Sequence, residues 1–83
     1  MAVRKGQLTP AQIDREWPRQ VEIAVPPHGL GSRLNELHSS AAELEPGYRA
    51  RSRTDGASHF IRFCFRSTGA AEVFRDRCGG SLV

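Results

Sequence analysis

Arginine at every second position is the chemistry this sequence offers first. Arg49, Arg51 and Arg53 alternate, and Arg62 and Arg66 fall in phase with Phe60 and Cys64 a few residues later. A guanidinium is permanently charged and presents a planar fork of donors, so a row of them suits phosphate or carboxylate. Of the 12 basic residues, 11 are arginine, and they are unevenly spread. Residues 1–45 hold 5 basic and 6 acidic groups, while residues 46–83 hold 7 and 3, so the chain is −1 in its first part and +4 in its second. A basic surface built from the second part is the first functional expectation.

The other reactive side chains are sparse. Arg62 and Arg66 flank Cys64 on one strand face, and nearby cations lower a thiol's pKa, which makes a reactive Cys64 thiolate conceivable. Cys78 lies on a helical apolar stripe and reads as a small core residue. His28, His38 and His59 are scattered without the paired spacing of a zinc site, so no metal is expected. His38, beside an apolar stripe, reads as a helix-surface residue. No Ser-His-Asp arrangement, phosphate loop or carboxylate pair is present. The expectation is a non-enzymatic protein with no catalytic residue and no cofactor.

The elements that would position these groups follow from periodicity. Thr9-Pro10-Ala11-Gln12 has the cap, first-turn proline and capping-box residue of a helix start, and Trp17-Pro18 must end that helix early. Gln20 to Val25 alternates, with Val21, Ile23 and Val25 on one face, and Pro26-Pro27 closes it. Leu30, Leu34, Leu37, Ala41 and Leu44 form one helical stripe opposite Arg33, Glu36, Ser40 and Glu43, stopped by Pro46-Gly47. Tyr48 to Arg53 and His59 to Arg66 alternate around the turn Thr54-Asp55-Gly56-Ala57, which reads as a hairpin. Ser67-Thr68 starts a second long helix with Ala70, Ala71, Val73, Phe74 and Cys78 as its apolar face, ended by Gly79-Gly80. Ser81-Leu82-Val83 makes at most a very short last strand.

Residues 1–8 read as a flexible tail and 9–83 as a single domain. At 83 residues with 39% apolar content, the chain can form a modest core, and its two cysteines are too few for a disulfide scaffold. No apolar run is long enough for a membrane span, and no apolar stretch follows Arg4 and Lys5 as in an export signal. A cytoplasmic protein with free thiols and no membrane partner is therefore expected. Small size alone makes dimerisation a natural route to further burial.

The element order is strand, helix, strand, strand, helix, strand after a short leading helix. It predicts an α+β fold of ferredoxin-like, split βαβ type, with an antiparallel sheet and two helices on one face. The uncovered face would carry Gln20, Glu22, Ala24, Arg49, Arg51, Arg53, Phe60, Arg62, Cys64 and Arg66. RNA-recognition motifs share this topology and stack bases on strand aromatics. The stretch Ser58 to Phe65 resembles their third strand, with Phe60 at the first stacking position. Arg62 occupies the second, and Gln20 and Glu22 stand where the first strand of that family has an aromatic.

The stretch Ile23-Ala24-Val25-Pro26-Pro27-His28-Gly29-Leu30-Gly31-Ser32-Arg33-Leu34 resembles the opening of ACT domains, small regulatory modules of the same element order. Gly29-Leu30 matches their turn, whereas the acidic residue ending their first strand is missing and His28 precedes the glycine. The resemblance implies amino-acid binding at Pro27, His28, Gly29 and Gly31. As a whole the chain resembles short bacterial proteins.

Three functions follow as expectations. The first is association, with a second copy or another protein, through Arg49, Arg51, Arg53, Phe60, Arg62 and Arg66, arginine and aromatics being enriched at interfaces. In a variant of it, the N-terminal segment with Trp17 folds across the face. The second is nucleic-acid binding through the same basic residues. The third is small-ligand binding at the 26–32 loop.

Overall fold

The computed structural model describes residues 9–83, so the tail expected over 1–8 lies outside the described residues. Its elements are α1 (Pro10–Glu16), β1 (Arg19–Val25), α2 (Ser32–Leu44), β2 (Arg49–Asp55), β3 (Ser58–Phe65), α3 (Thr68–Cys78) and β4 (Ser81–Leu82). The four strands form one antiparallel sheet in the order β2-β3-β1-β4, the ferredoxin-like arrangement that the element order predicts.

Local chemistry accounts for the boundaries. Thr9 caps α1 in a capping box with Gln12, Pro10 occupies the first turn, and the helix stops at Trp17 ahead of Pro18. Ser67 caps α3 by accepting from the Ala70 amide, and Gly79 ends it in the left-handed conformation. The hairpin differs slightly from the expected turn. Asp55 and Ser58 are paired, so β2 runs on through Asp55 and only Gly56 and Ala57 form the loop. Gly56 carries φ +62° at the first loop position, which a two-residue hairpin with glycine there requires. Gly80 is needed for a different reason. A Cβ there would lie 2.6 Å from Val21 Cγ1 and 2.9 Å from the Glu22 carbonyl oxygen, so only glycine lets β4 approach β1.

One face of the sheet builds the main core. Val21, Ile23, Phe63 and Phe65 pack beneath Leu37 and Ala41 of α2 and Ala70, Ala71 and Phe74 of α3. Phe74 meets the rings of Phe63 and Phe65 at centroid distances of 4.9 and 5.3 Å. Val73 is a correction: it is 41% exposed. At about 100° per residue, Ala70, Phe74, Cys78 and Ala71 span one arc, and Val73 falls roughly 60° outside it.

His38 is also not the surface residue expected. It sits on the flank of the α2 stripe, half-buried, with Nδ1 2.6 Å from the Tyr48 hydroxyl and its ring edge against Phe63. No helix among the described residues is long and apolar enough to cross a membrane.

Candidate interaction face

The register stacks the outer face of the sheet in three rows. Arg49, Cys64 and Gln20 form the first, Arg51, Arg62 and Glu22 the second, and Arg53, Phe60 and Ala24 the third. Alternation places all nine on the side away from α2 and α3, as the sequence pattern requires.

Helix α1 covers Cys64 and Gln20 of the first row and leaves Arg49 exposed. Ile13 and Trp17, one turn apart, pack with the Cys64 side chain in a second, smaller apolar cluster. The indole Nε1–H donates to the Gly47 carbonyl at 2.9 Å, which ties the end of α1 to the approach to β2. The guanidinium carbons of Arg49 and Arg66 lie 5.0 and 4.4 Å from the Trp17 ring centroid. Both are within cation–π range.

This cover reverses the expectation for Cys64. The residue is fully buried, and burial pushes its thiol up to about 11. Arg51 and Arg62 pull it down, but desolvation of a thiolate outweighs them. A buried, protonated thiol is a poor nucleophile. The thiol of Cys78 is also held above its ordinary value by burial, and both cysteines are free.

Two carboxylates serve the arginines of the second row and the neighbouring Arg53. Asp14 of α1 accepts from Arg51 Nη2 at 3.1 Å and from Gln20 Nε2 at 2.8 Å. Glu22 accepts from Arg53 Nε at 2.8 Å and from Arg62 Nε at 2.9 Å. Arg66 lies 3.8 Å from Glu16 in a looser, more exposed pair. Hydrogen bonds hold both Asp14 and Glu22 below the usual carboxylate range, chiefly that from Gln20 for Asp14 and that from Arg53 for Glu22. The Arg51 Nε–H is a buried donor without a hydrogen-bond partner among the described residues.

The third row is open. Ala24 is exposed, Phe60 is half-buried, and the Arg53 guanidinium lies 4.7 Å from the Phe60 ring centroid. A shallow cleft of about 360 Å³ adjoins this end, lined by Ala24, Val25, Pro27, Ala57, Ser58, His59 and Phe60.

Of the loop residues singled out from sequence, only Pro27 lines that cleft. His28 is exposed, and Gly29 donates its N–H to the Pro26 carbonyl at 2.8 Å to close the turn. Gly31 precedes α2, and its carbonyl accepts from the Leu34 amide at 3.2 Å. No cluster of three metal-ligating side chains forms among the described residues.

Two carboxylates matter more than their sequence context suggests. Asp14 sits on a seven-residue helix 37 positions from Arg51, and Glu45 reaches across to accept from the Arg66 and Ser67 amides at 3.0 and 3.1 Å. The excess of acid in the first part of the chain was the one available signal for such pairing. Compared with known protein families, curated proteins and solved structures, the chain gives no match.

Proposed function

We propose that this protein is a non-enzymatic association module, working in a reducing, cytoplasmic setting through the outer face of its sheet. The observation that carries the reading is the internal charge matching of that face. Arg51, Arg53, Arg62 and Arg66 are each within ion-pair distance of Asp14, Glu22 or Glu16. A polyanion binds by releasing counterions from unpaired cations. Guanidiniums already bridged to carboxylates offer little of that gain. What the face keeps available is its third row, an aromatic ring flanked by an arginine beside a shallow cleft. Such a combination anchors protein interfaces.

The test is an amide NMR study of the full chain, once over a dilution series and once with mixed single-stranded oligonucleotide at two salt concentrations. Association through this face predicts concentration-dependent shifts centred on Ala24, Arg53 and Phe60, lost in Phe60→Ala. Salt-sensitive oligonucleotide shifts over Arg49 to Arg53 and Phe60 to Arg66 would overturn it in favour of nucleic-acid binding.

A further inference from the structure

Among the described residues, strand β2 has a neighbour on one side only. Because Asp55 and Ser58 close a two-residue hairpin, they exchange both backbone bonds, and alternation makes Arg53, Arg51 and Arg49 likewise bond inward to β3. Ala50, Ser52 and Thr54 must then direct their N–H and C=O groups outward. The same phase holds across the sheet, where the Gln20 carbonyl faces away from β3 and accepts from the Val83 amide at 3.0 Å. The outward-facing residues are small and include no proline, so nothing on the backbone blocks a further strand.

We propose that this edge pairs with the same edge of a second copy, antiparallel about a two-fold axis through Ser52, to give one continuous eight-stranded sheet. The inference rests on the association reading above for a partner, names that partner as a second copy, and goes beyond it in placing the contact at the sheet edge. The backbone selects the register. Only when Ser52 faces Ser52 are all three outward residues matched, Ala50 then lying opposite Thr54 of the second copy at both ends.

The charges agree with that register independently. On the outer face of β2, Arg51 and Arg53 carry their own carboxylates, Asp14 and Glu22. Arg49 and Asp55 are in no ion pair among the described residues, and both are exposed. In the proposed register Arg49 stands directly opposite Asp55 of the second copy, twice per dimer. These are non-hydrogen-bonded positions, where cross-strand side chains approach most closely. Arg51 stands opposite Arg53 of the second copy, and each is already within ion-pair distance of a carboxylate in its own chain. The two α1 helices share the outer side of the joined sheet, but each covers the Arg49 end of its own strand, so they lie at opposite ends.

Charge reversal tests the pairing with its own internal control. Sedimentation equilibrium should show a concentration-dependent mass rising from 9.2 kDa toward twice that value. Arg49→Glu alone and Asp55→Arg alone each place like charges opposite one another and should weaken the dimer roughly tenfold. Mixing those two variants in equal amounts should restore association, because both 49–55 pairs of the mixed dimer are then opposite in sign. Ser52→Pro, which removes only an outward N–H, should also weaken it. A mass of 9.2 kDa at millimolar concentration would overturn the second-copy inference, and association with a different protein would then be decided against nucleic-acid binding by the oligonucleotide arm of the NMR test. A dimer lost in Phe60→Ala but unaffected by both charge reversals and by Ser52→Pro would keep the association reading and overturn the edge.

Discussion

The two faces of the sheet solve the same burial problem by different means. The inner face is closed by two long helices over a buried cluster that is wholly apolar: Val21, Ile23, Phe63 and Phe65 meet Leu37, Ala41 and Phe74. The outer face is graded. One end is closed by Trp17 and Ile13, the middle is satisfied by Arg-carboxylate pairs, and the far end is left to solvent. Apolar packing is indifferent to which partner supplies the methyl groups, whereas the outer face works only if each carboxylate finds its particular guanidinium. The inner face therefore carries most of the stability, and the outer face carries the specificity of what lies on it.

The largest effect should come from breaking the inner face. Phe63→Ala removes a fully buried ring and should cost about 3–5 kcal/mol, read from urea or thermal unfolding. A domain of this length has roughly 4–12 kcal/mol in total, so this single change should remove a quarter of its stability or more and lower its unfolding midpoint accordingly.

Trp17→Ala attacks the closed end of the outer face. It should cost about 3 kcal/mol while the inner core stays folded. Cys64 should then react with a thiol reagent that barely touches it in the native protein, and unchanged thiol reactivity would mean that α1 is not what shields it.

The charge-matched middle should be weaker still. Glu22→Gln strips the shared acceptor from Arg53 and Arg62, and about 1–2 kcal/mol should be lost at pH 7. The pH dependence sharpens this. The Glu22 carboxyl is held below its ordinary 4.5, so its contribution is complete above that value and drains away as pH falls through the lower, folded one. The stability difference between wild type and Glu22→Gln should therefore close at acid pH, and a constant difference down to about pH 2 would contradict the pairing.

Tyr48→Phe is the mildest test. It deletes one hydrogen bond to His38 at the rim of the inner core and should cost about 1 kcal/mol. Like Glu22→Gln, this measures polar pairing, but at the inner face, where loss of one bond leaves the apolar contacts of Phe63 in place.

The inner face was legible in the sequence because its signals are local. The 3.6-residue stripe from Leu30 to Leu44 and the two-residue alternation of β1 and β3 place Leu37, Ala41, Val21 and Phe63 without any knowledge of tertiary contacts. Val73 misled because it is apolar and adjacent to the right arc. The outer face was legible only in part. Alternation correctly gathered Arg49, Arg51, Arg53, Phe60, Arg62 and Cys64, but it gives no destination for a seven-residue helix. The spacing of Ile13 and Trp17 announces an apolar side and nothing about where it docks. For that reason Cys64 read as activated by its neighbours at two residues' distance, when the cover arriving from Ile13 and Trp17, far away in sequence, decides its chemistry.

The placement of Trp17 has a spectroscopic consequence. It is the only tryptophan in the chain, 4% exposed, bonded through its indole N–H to Gly47 and bracketed by two guanidiniums. Its emission should be blue-shifted while α1 is docked and move toward the red when the helix lifts, even if the inner core remains folded. The molecule thus contains a built-in fluorescent gauge of one face alone, so undocking of α1 can be followed separately from global unfolding without attaching a label.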